Sequence, residues 1–219
     1  MNKVIKCIEE RFRNDIKDHS MEILMDNDVY RHVVFSCGGS SIFRFDLITW
    51  PGNLCIKSDC GTYVFNRIHD MFGFFGDDDE DLIMDGKLRI NPRYWGEKLL
   101  SICAQGGYQE YSEEQFVNAV TSDFEEWEFE SDDHKDEVWS QIKDEILMLS
   151  EYEHGAYSAV NDFKSENGHQ FVDFFEHDLH DFTFSYLWCL YAIVFGIRTY
   201  DISKQPTVEA GNETQSAQS

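Results

Sequence analysis

Residues 22–65 read EILMDNDVYRHVVFSCGGSSIFRFDLITWPGNLCIKSDCGTYVF, and this stretch decides the fold. It is rich in β-branched and aromatic side chains, which suit a pleated, half-buried surface. Asn27-Asp28, Gly38-Gly39, Pro51-Gly52 and Asp59 to Gly61 punctuate it as turns. The apolar runs between those points predict four strands: Ile23 to Met25, His32 to Ser36, Ile42 to Trp50, and Leu54 to Lys57 continuing toward Phe65. Gaps this short leave no room for crossover helices, so the strands form an antiparallel meander.

Upstream, Val4, Ile8, Phe12 and Ile16 recur every fourth residue and predict an amphipathic first helix, with Lys3, Lys6, Arg11, Arg13 and Lys17 on its solvent face. Downstream, the pattern turns helical. Asn91-Pro92 reads as a cap and first turn, with Trp95, Leu99 and Cys103 as the stripe and Gly106-Gly107 as the stop. Ser112 with Gln115 has capping-box spacing and aligns Phe116, Val120, Phe124 and Trp127 on one face. A third helix aligns Trp139, Ile142, Ile146 and Leu149, and further helices cover Ser158 to Ser165 and Phe182 to Thr199. The expected class is α+β: residues 1–76 form a helix plus sheet, 77–202 an acidic helical part packed on it as one unit, and 203–219 a polar disordered tail.

The uncharged run Phe182 to Ile197 falls short of the ~20 apolar residues a membrane span requires, so it reads as a core helix. Six cysteines occur without a CxxC pair or a preceding signal peptide, which points to the reducing cytoplasm and to thiols acting as small buried hydrophobes. Cys37, Cys55, Cys60 and His69 form a loosely spaced zinc set, a weaker alternative to that role. No cofactor is expected.

Charge is where the sequence speaks of function. Residues 1–76 carry 9 Lys/Arg against 10 Asp/Glu, whereas residues 77–219 carry 9 against 32, so nearly all of the formal −24 lies in the second part. A disordered acidic segment would be poor in aromatics, but this chain has 18 Phe and 42% apolar residues. The acid therefore sits on a folded body and reads as a surface aimed at a positively charged partner. Between Gln109 and Glu153 there are 16 acidic and 2 basic residues, too few cations for intrahelical pairing. With the apolar stripes inward, Glu125, Glu126, Glu128, Glu130, Asp132, Asp133, Asp136 and Glu137 fall on flanks and outer faces. Asp77, Asp78, Asp79, Glu80 and Asp81 form a second cluster. Duplex DNA carries about one charge per 1.7 Å of axis, and closely set carboxylates imitate such a rod.

Two simpler readings compete. Acids such as Asp132, Asp133, Asp136 and Glu137 favour the positive end of their own helix, but that effect reaches only the first turn. Calcium binding by Asp77 to Asp81 lacks the alternating ligands, central Gly and terminal Glu of an EF-hand loop.

Catalytic signals are weaker. His177 and His180, three apart on a helix and near Asp173 and Glu176, would share one face and one metal. Asp59, His69 and Asp70 near strand ends form another candidate site, and Trp50, Tyr63 and Phe65 a stacking surface for a small ligand or nucleotide. Gly-rich phosphate loops and nucleophile elbows are absent, so the expectation is a binding protein and not an enzyme.

Trp50-Pro51-Gly52-Asn53-Leu54, Gly61-Thr62-Tyr63-Val64-Phe65, Asp70-Met71-Phe72, Phe74-Phe75, and Ile90-Asn91-Pro92 with Tyr94-Trp95 carry a resemblance. The stretch from about Val33 to Leu100 resembles an uncharacterised family of small phage and prophage proteins. That resemblance implies a phage origin and action inside a bacterial cytoplasm, and it transfers no catalytic residue. In charge alone, the second half is similar to phage proteins that block restriction or CRISPR enzymes by occupying their DNA sites. The expected partner is thus a basic, nucleic-acid-binding host defence protein, with no membrane role and no direct DNA binding by the acidic part; a homodimer is allowed.

Overall fold

A computed structural model describes residues 3–76, 86–104 and 106–205, with side chains described from Cys7 onward. The chain is α+β and divides into two compact units, one of residues 1–106 with 184–219 and one of residues 107–183. The expected boundary after Gly76 is therefore displaced to Gly106, and the chain returns to the first unit at Phe184.

In the first unit, helix α1 (Lys3–Asp15) precedes strands β1 (Ser20–Asn27), β2 (Tyr30–Ser36), β3 (Phe45–Trp50), β4 (Asn53–Ser58) and β5 (Gly61–Asn66). Short helices α2 (Met71–Phe75) and α3 (Pro92–Gly96) lead to β6 (Leu99–Ile102), and α7 (Phe184–Lys204) closes the unit. The six strands pair antiparallel in chain order, so the meander is real but larger than four strands. Two differences account for the count. The stretch from Leu54 to Phe65 is two strands joined at Asp59-Cys60, with Ser58 opposite Gly61. The helix expected through Leu99 and Cys103 stops at Gly96, and Leu99–Ile102 pairs with β5 instead. Its start was legible: Asn91 caps α3 by accepting from the Tyr94 N–H at 3.3 Å. Its continuation lost to tertiary pairing, because an open β5 edge offers backbone partners that a four-residue periodicity does not report.

One face of the sheet carries Val33, Phe35, Phe45, Leu47, Leu54, Ile56, Tyr63 and Phe65, each fully buried. Helix α7 covers it and contacts β3, β4 and β5, while α1 packs beside α7. Close approach is possible because residue 196 is glycine: a Cβ there would lie 2.6 Å from Leu47 Cδ1 and 3.1 Å from Phe35 Cε2. Ile8, Phe12 and Ile16 of the predicted first stripe are buried, and Phe12 meets Trp188 edge-on at 5.1 Å. Helix α7 is buried nearly all round from Tyr186 to Ile197, as that uncharged stretch requires, and no described helix is long and apolar enough to cross a membrane. Ser203 and Lys204, expected in a disordered tail, close α7; residues 206–219 lie outside the described residues.

In the second unit, strand β7 (Gln109–Tyr111) pairs antiparallel with β8 (His180–Phe182) and brings its two ends together. Between them lie α4 (Glu113–Glu125), α5 (Asp132–Glu145), a 3-10 turn at Leu147–Leu149, α6 (Glu153–Asp162) and a 3-10 turn at Phe174–Glu176. The core gathers Phe116, Val120 and Phe124 of α4, Val138 and Ile142 of α5 with Ile146 at its end, Ala156 and Val160 of α6, and Phe163, Phe174 and Leu179. Burying each large apolar side chain contributes about 1.5–3 kcal/mol, which lets this small body fold despite its charge. Two stripe residues depart from expectation. Trp127 lies beyond the end of α4 and is only partly buried, and Leu149 is 41% exposed because the 3-10 turn rotates it out of the α5 stripe.

Candidate partner-binding surface

The fold concentrates the acid further than the sequence halves suggested. The unit of residues 107–183 holds 22 Asp/Glu and 3 Lys/Arg, so most of the chain's excess negative charge belongs to it.

Both helices that carry the acidic ridge are capped by serine. Ser112 accepts from the Gln115 N–H at 3.3 Å, and Ser131 accepts from the His134 N–H at 3.2 Å. The capping box at Ser112 is half closed, since the Gln115 amide reaches Asp181 at 3.2 Å instead of turning back. Each helix then has two acids in its first turn, Glu113 and Glu114 on α4 and Asp132 and Asp133 on α5, where the helix dipole favours them. That effect leaves Glu125, Glu126, Glu128, Glu130, Asp136 and Glu137 without a structural reason to be acidic.

The α4–α5 connection explains how the loop acids are presented. Along Glu126-Trp127-Glu128-Phe129-Glu130, the acids are exposed and the aromatics between them are partly buried. Trp127 stacks on His169 with ring centroids 5.2 Å apart and meets Phe171 at 4.9 Å; Phe129 meets Phe124 and His169, each at 5.1 Å. A His169 ring nitrogen lies 3.0 Å from the Glu128 carbonyl oxygen. The aromatic residues thus pin the loop, and its carboxylates point outward at alternate positions. Sequence reasoning by helical period missed this device, although the alternation of acid and aromatic was visible.

All eight ridge acids, Glu125, Glu126, Glu128, Glu130, Asp132, Asp133, Asp136 and Glu137, are exposed. Among the described residues none of the eight makes an ion pair. Lys135, in the middle of the ridge, is turned over the Phe124 and Phe129 rings at 5.5 and 5.8 Å. The second acidic cluster, Asp77 to Asp81, lies outside the described residues.

The catalytic candidates are dispersed. His177 follows a 3-10 turn and His180 sits on β8, so the shared helix face expected of them does not exist. His177 Nε2 lies 2.8 Å from Asp123 Oδ1, and His180 Nε2 lies 3.4 Å from Glu153 Oε1. Asp59 accepts from the Phe43 N–H at one end of β4, whereas the His69 carbonyl accepts from the Gly52 N–H at the other. Asp70 caps α2 and takes a bidentate pair from Arg31 at 2.8 and 2.9 Å, which holds its carboxyl below the usual carboxylate range. A six-residue strand spans about 20 Å, so Asp59 does not meet His69 and Asp70.

That separation also breaks the zinc set, and no described group of three or more His, Cys, Asp or Glu is placed to hold a metal ion. Burial, with Asp59 adding to it, pushes the Cys60 thiol up to about 12, the behaviour of an inert thiol. Of the proposed stacking surface, Tyr63 and Phe65 are core residues packed on Tyr186 and Phe75, and only Trp50 is exposed, at 36%. In the basic first helix, Arg13 pairs with Glu9 at 2.7 Å and Arg11 lies over the Phe184 ring at 4.4 Å, so both are engaged within their own unit.

Compared with family models, curated proteins and solved structures, the chain has no match.

Proposed function

We propose that this chain is a phage-encoded inhibitor of a bacterial defence system, of the anti-CRISPR or anti-restriction type. Its acidic surface engages a nucleic-acid-handling host protein in place of DNA, in the host cytoplasm, and performs no chemistry. One observation carries this reading: eight exposed acids that make no ion pair among the described residues, held in place by an aromatic-pinned loop and two capped helices. Dipole stabilisation explains two of the eight, and a merely solvated face needs no aromatic clamp to aim its carboxylates. Long-range attraction would steer a basic groove toward the ridge, and binding would weaken as salt screens it.

The test is protection of phage DNA in bacteria carrying restriction or CRISPR systems. Expression of the chain should restore plaque formation under at least one such system. Replacing Glu126, Glu128, Glu130, Asp133 and Asp136 together by Lys should remove that protection while the protein remains folded by circular dichroism. Protection that survives the replacement would refute the ridge as the working surface.

A further inference from the structure

The acidic unit also carries an apolar groove that the ridge does not use. It runs along α6 beside the 3-10 turn, has a volume of about 410 Å3, and has an apolar floor of Leu149, Gly155, Ala159 and the largely buried Phe163 with polar walls of Glu145, His154, Ser158 and Asp162. The turn packs directly on α6 here: a Cβ at residue 155 would meet Leu149 Cβ at 3.8 Å, an ordinary van der Waals contact. Met148 and Tyr152, which lie near Leu149 and Gly155 in the chain, are 72% and 67% exposed.

The geometry points to a docking site for a basic amphipathic helix of the partner protein. Gly155 and Ala159 lie one turn apart on α6, Leu149 of the 3-10 turn packs beside Gly155, and the helix runs about 10 Å from Gly155 to its end at Asp162, which matches two turns of an incoming helix anchored at positions i, i+3 or i+4, and i+7. Charge selects the occupant. A second copy of this chain would bring the same 22 acids against 3 bases to the contact and be repelled. Cationic residues flanking an apolar stripe would instead meet Glu145 and Asp162 at the walls and the exposed Asp144 and Glu151 nearby. The inference rests on the proposed engagement of a basic protein and adds a shape-specific contact to an otherwise diffuse electrostatic one.

The experiment uses the full chain and two synthetic peptides of identical composition, about four helical turns long. One places Leu at i, i+3, i+4 and i+7 among Lys and Arg; the other scrambles that order. Fluorescence anisotropy should show the patterned peptide binding at least tenfold more tightly than the scrambled one. Ala159→Gln, which fills the groove without adding charge, and Leu149→Ser, which shaves its wall, should each remove that preference at unchanged thermal stability. Amide chemical shifts of Leu149, Gly155 and Ala159 should move only with the patterned peptide. Equal binding of both peptides, lost on charge reversal of the ridge, would overturn the groove and leave the ridge standing. Failure of both peptides to bind would overturn groove and ridge together, and a dimer in light scattering that buries this groove would overturn the groove alone.

Discussion

Asp132 and Asp136, and likewise Asp133 and Glu137, stand four residues apart on α5, so two like-charge pairs lie one turn apart; none of the four makes an ion pair among the described residues, and Lys135 between them is turned over the Phe124 and Phe129 rings. Each such pair destabilises by about 0.2–0.5 kcal/mol, and an Asp followed four residues later by Lys stabilises by a similar amount. Replacing Asp136 and Glu137 by Lys inverts both pairs, and the double variant should gain about 1–2 kcal/mol locally. Neither position lies in the first helical turn, so the dipole contributes little against the new cations. Hydrogen exchange of the α5 amides, with urea denaturation followed by circular dichroism, reads the effect. The gain should be largest at about 0.01 M salt, where the Debye length is about 30 Å, and should shrink markedly at about 1 M, where it is about 3 Å. The same variant should lose inhibitory activity. A surface kept for stability predicts the opposite, so a destabilised double variant, or a gain indifferent to salt, would refute the reasoning.

Acid should weaken the first unit through Asp70 and Asp26. Arg31 lowers the first carboxyl, and the Lys204 ammonium, followed by the Tyr200 hydroxyl, lowers the second. Groups depressed in the folded state contribute stability that is full above the ordinary carboxylate value of ~4 and is lost as pH falls from there through the lowered folded-state value. Urea midpoints should therefore drop below about pH 5, less steeply in Asp70→Asn. Gly196→Val should cost about 1–3 kcal/mol by overpacking against Leu47, measured as a lowered melting temperature. Ser131→Ala should cost about 1 kcal/mol through loss of the α5 cap, seen as faster exchange of the His134 amide.

Local chemistry made the sheet legible: turn residues at Asn27-Asp28, Pro51-Gly52 and Asp59 to Gly61 do join successive strands, and Asp28 and Gly52 take the positive φ values such turns use. Caps at Asn91 and Ser112 were equally readable, because a cap is a contact between near neighbours. What escaped was non-local. Leu99–Ile102 became a strand only because β5 had an open edge, and β7 formed only because β8 lies about seventy residues away to pair with it. The ridge acids were visible as charge, whereas the aromatic clamp around Trp127 and Phe129 depends on His169 and Phe171, contributed by a distant loop.

The most direct measurement of the central claim is capture of host proteins on the immobilised chain from bacterial lysate, with and without duplex DNA as competitor, at low and high salt. The account predicts recovery of a basic nucleic-acid-binding defence protein that duplex DNA and high salt both displace, and that the five-residue charge-reversed chain fails to retain. A partner held equally well at high salt, undisturbed by DNA and retained by the reversed chain, would contradict it.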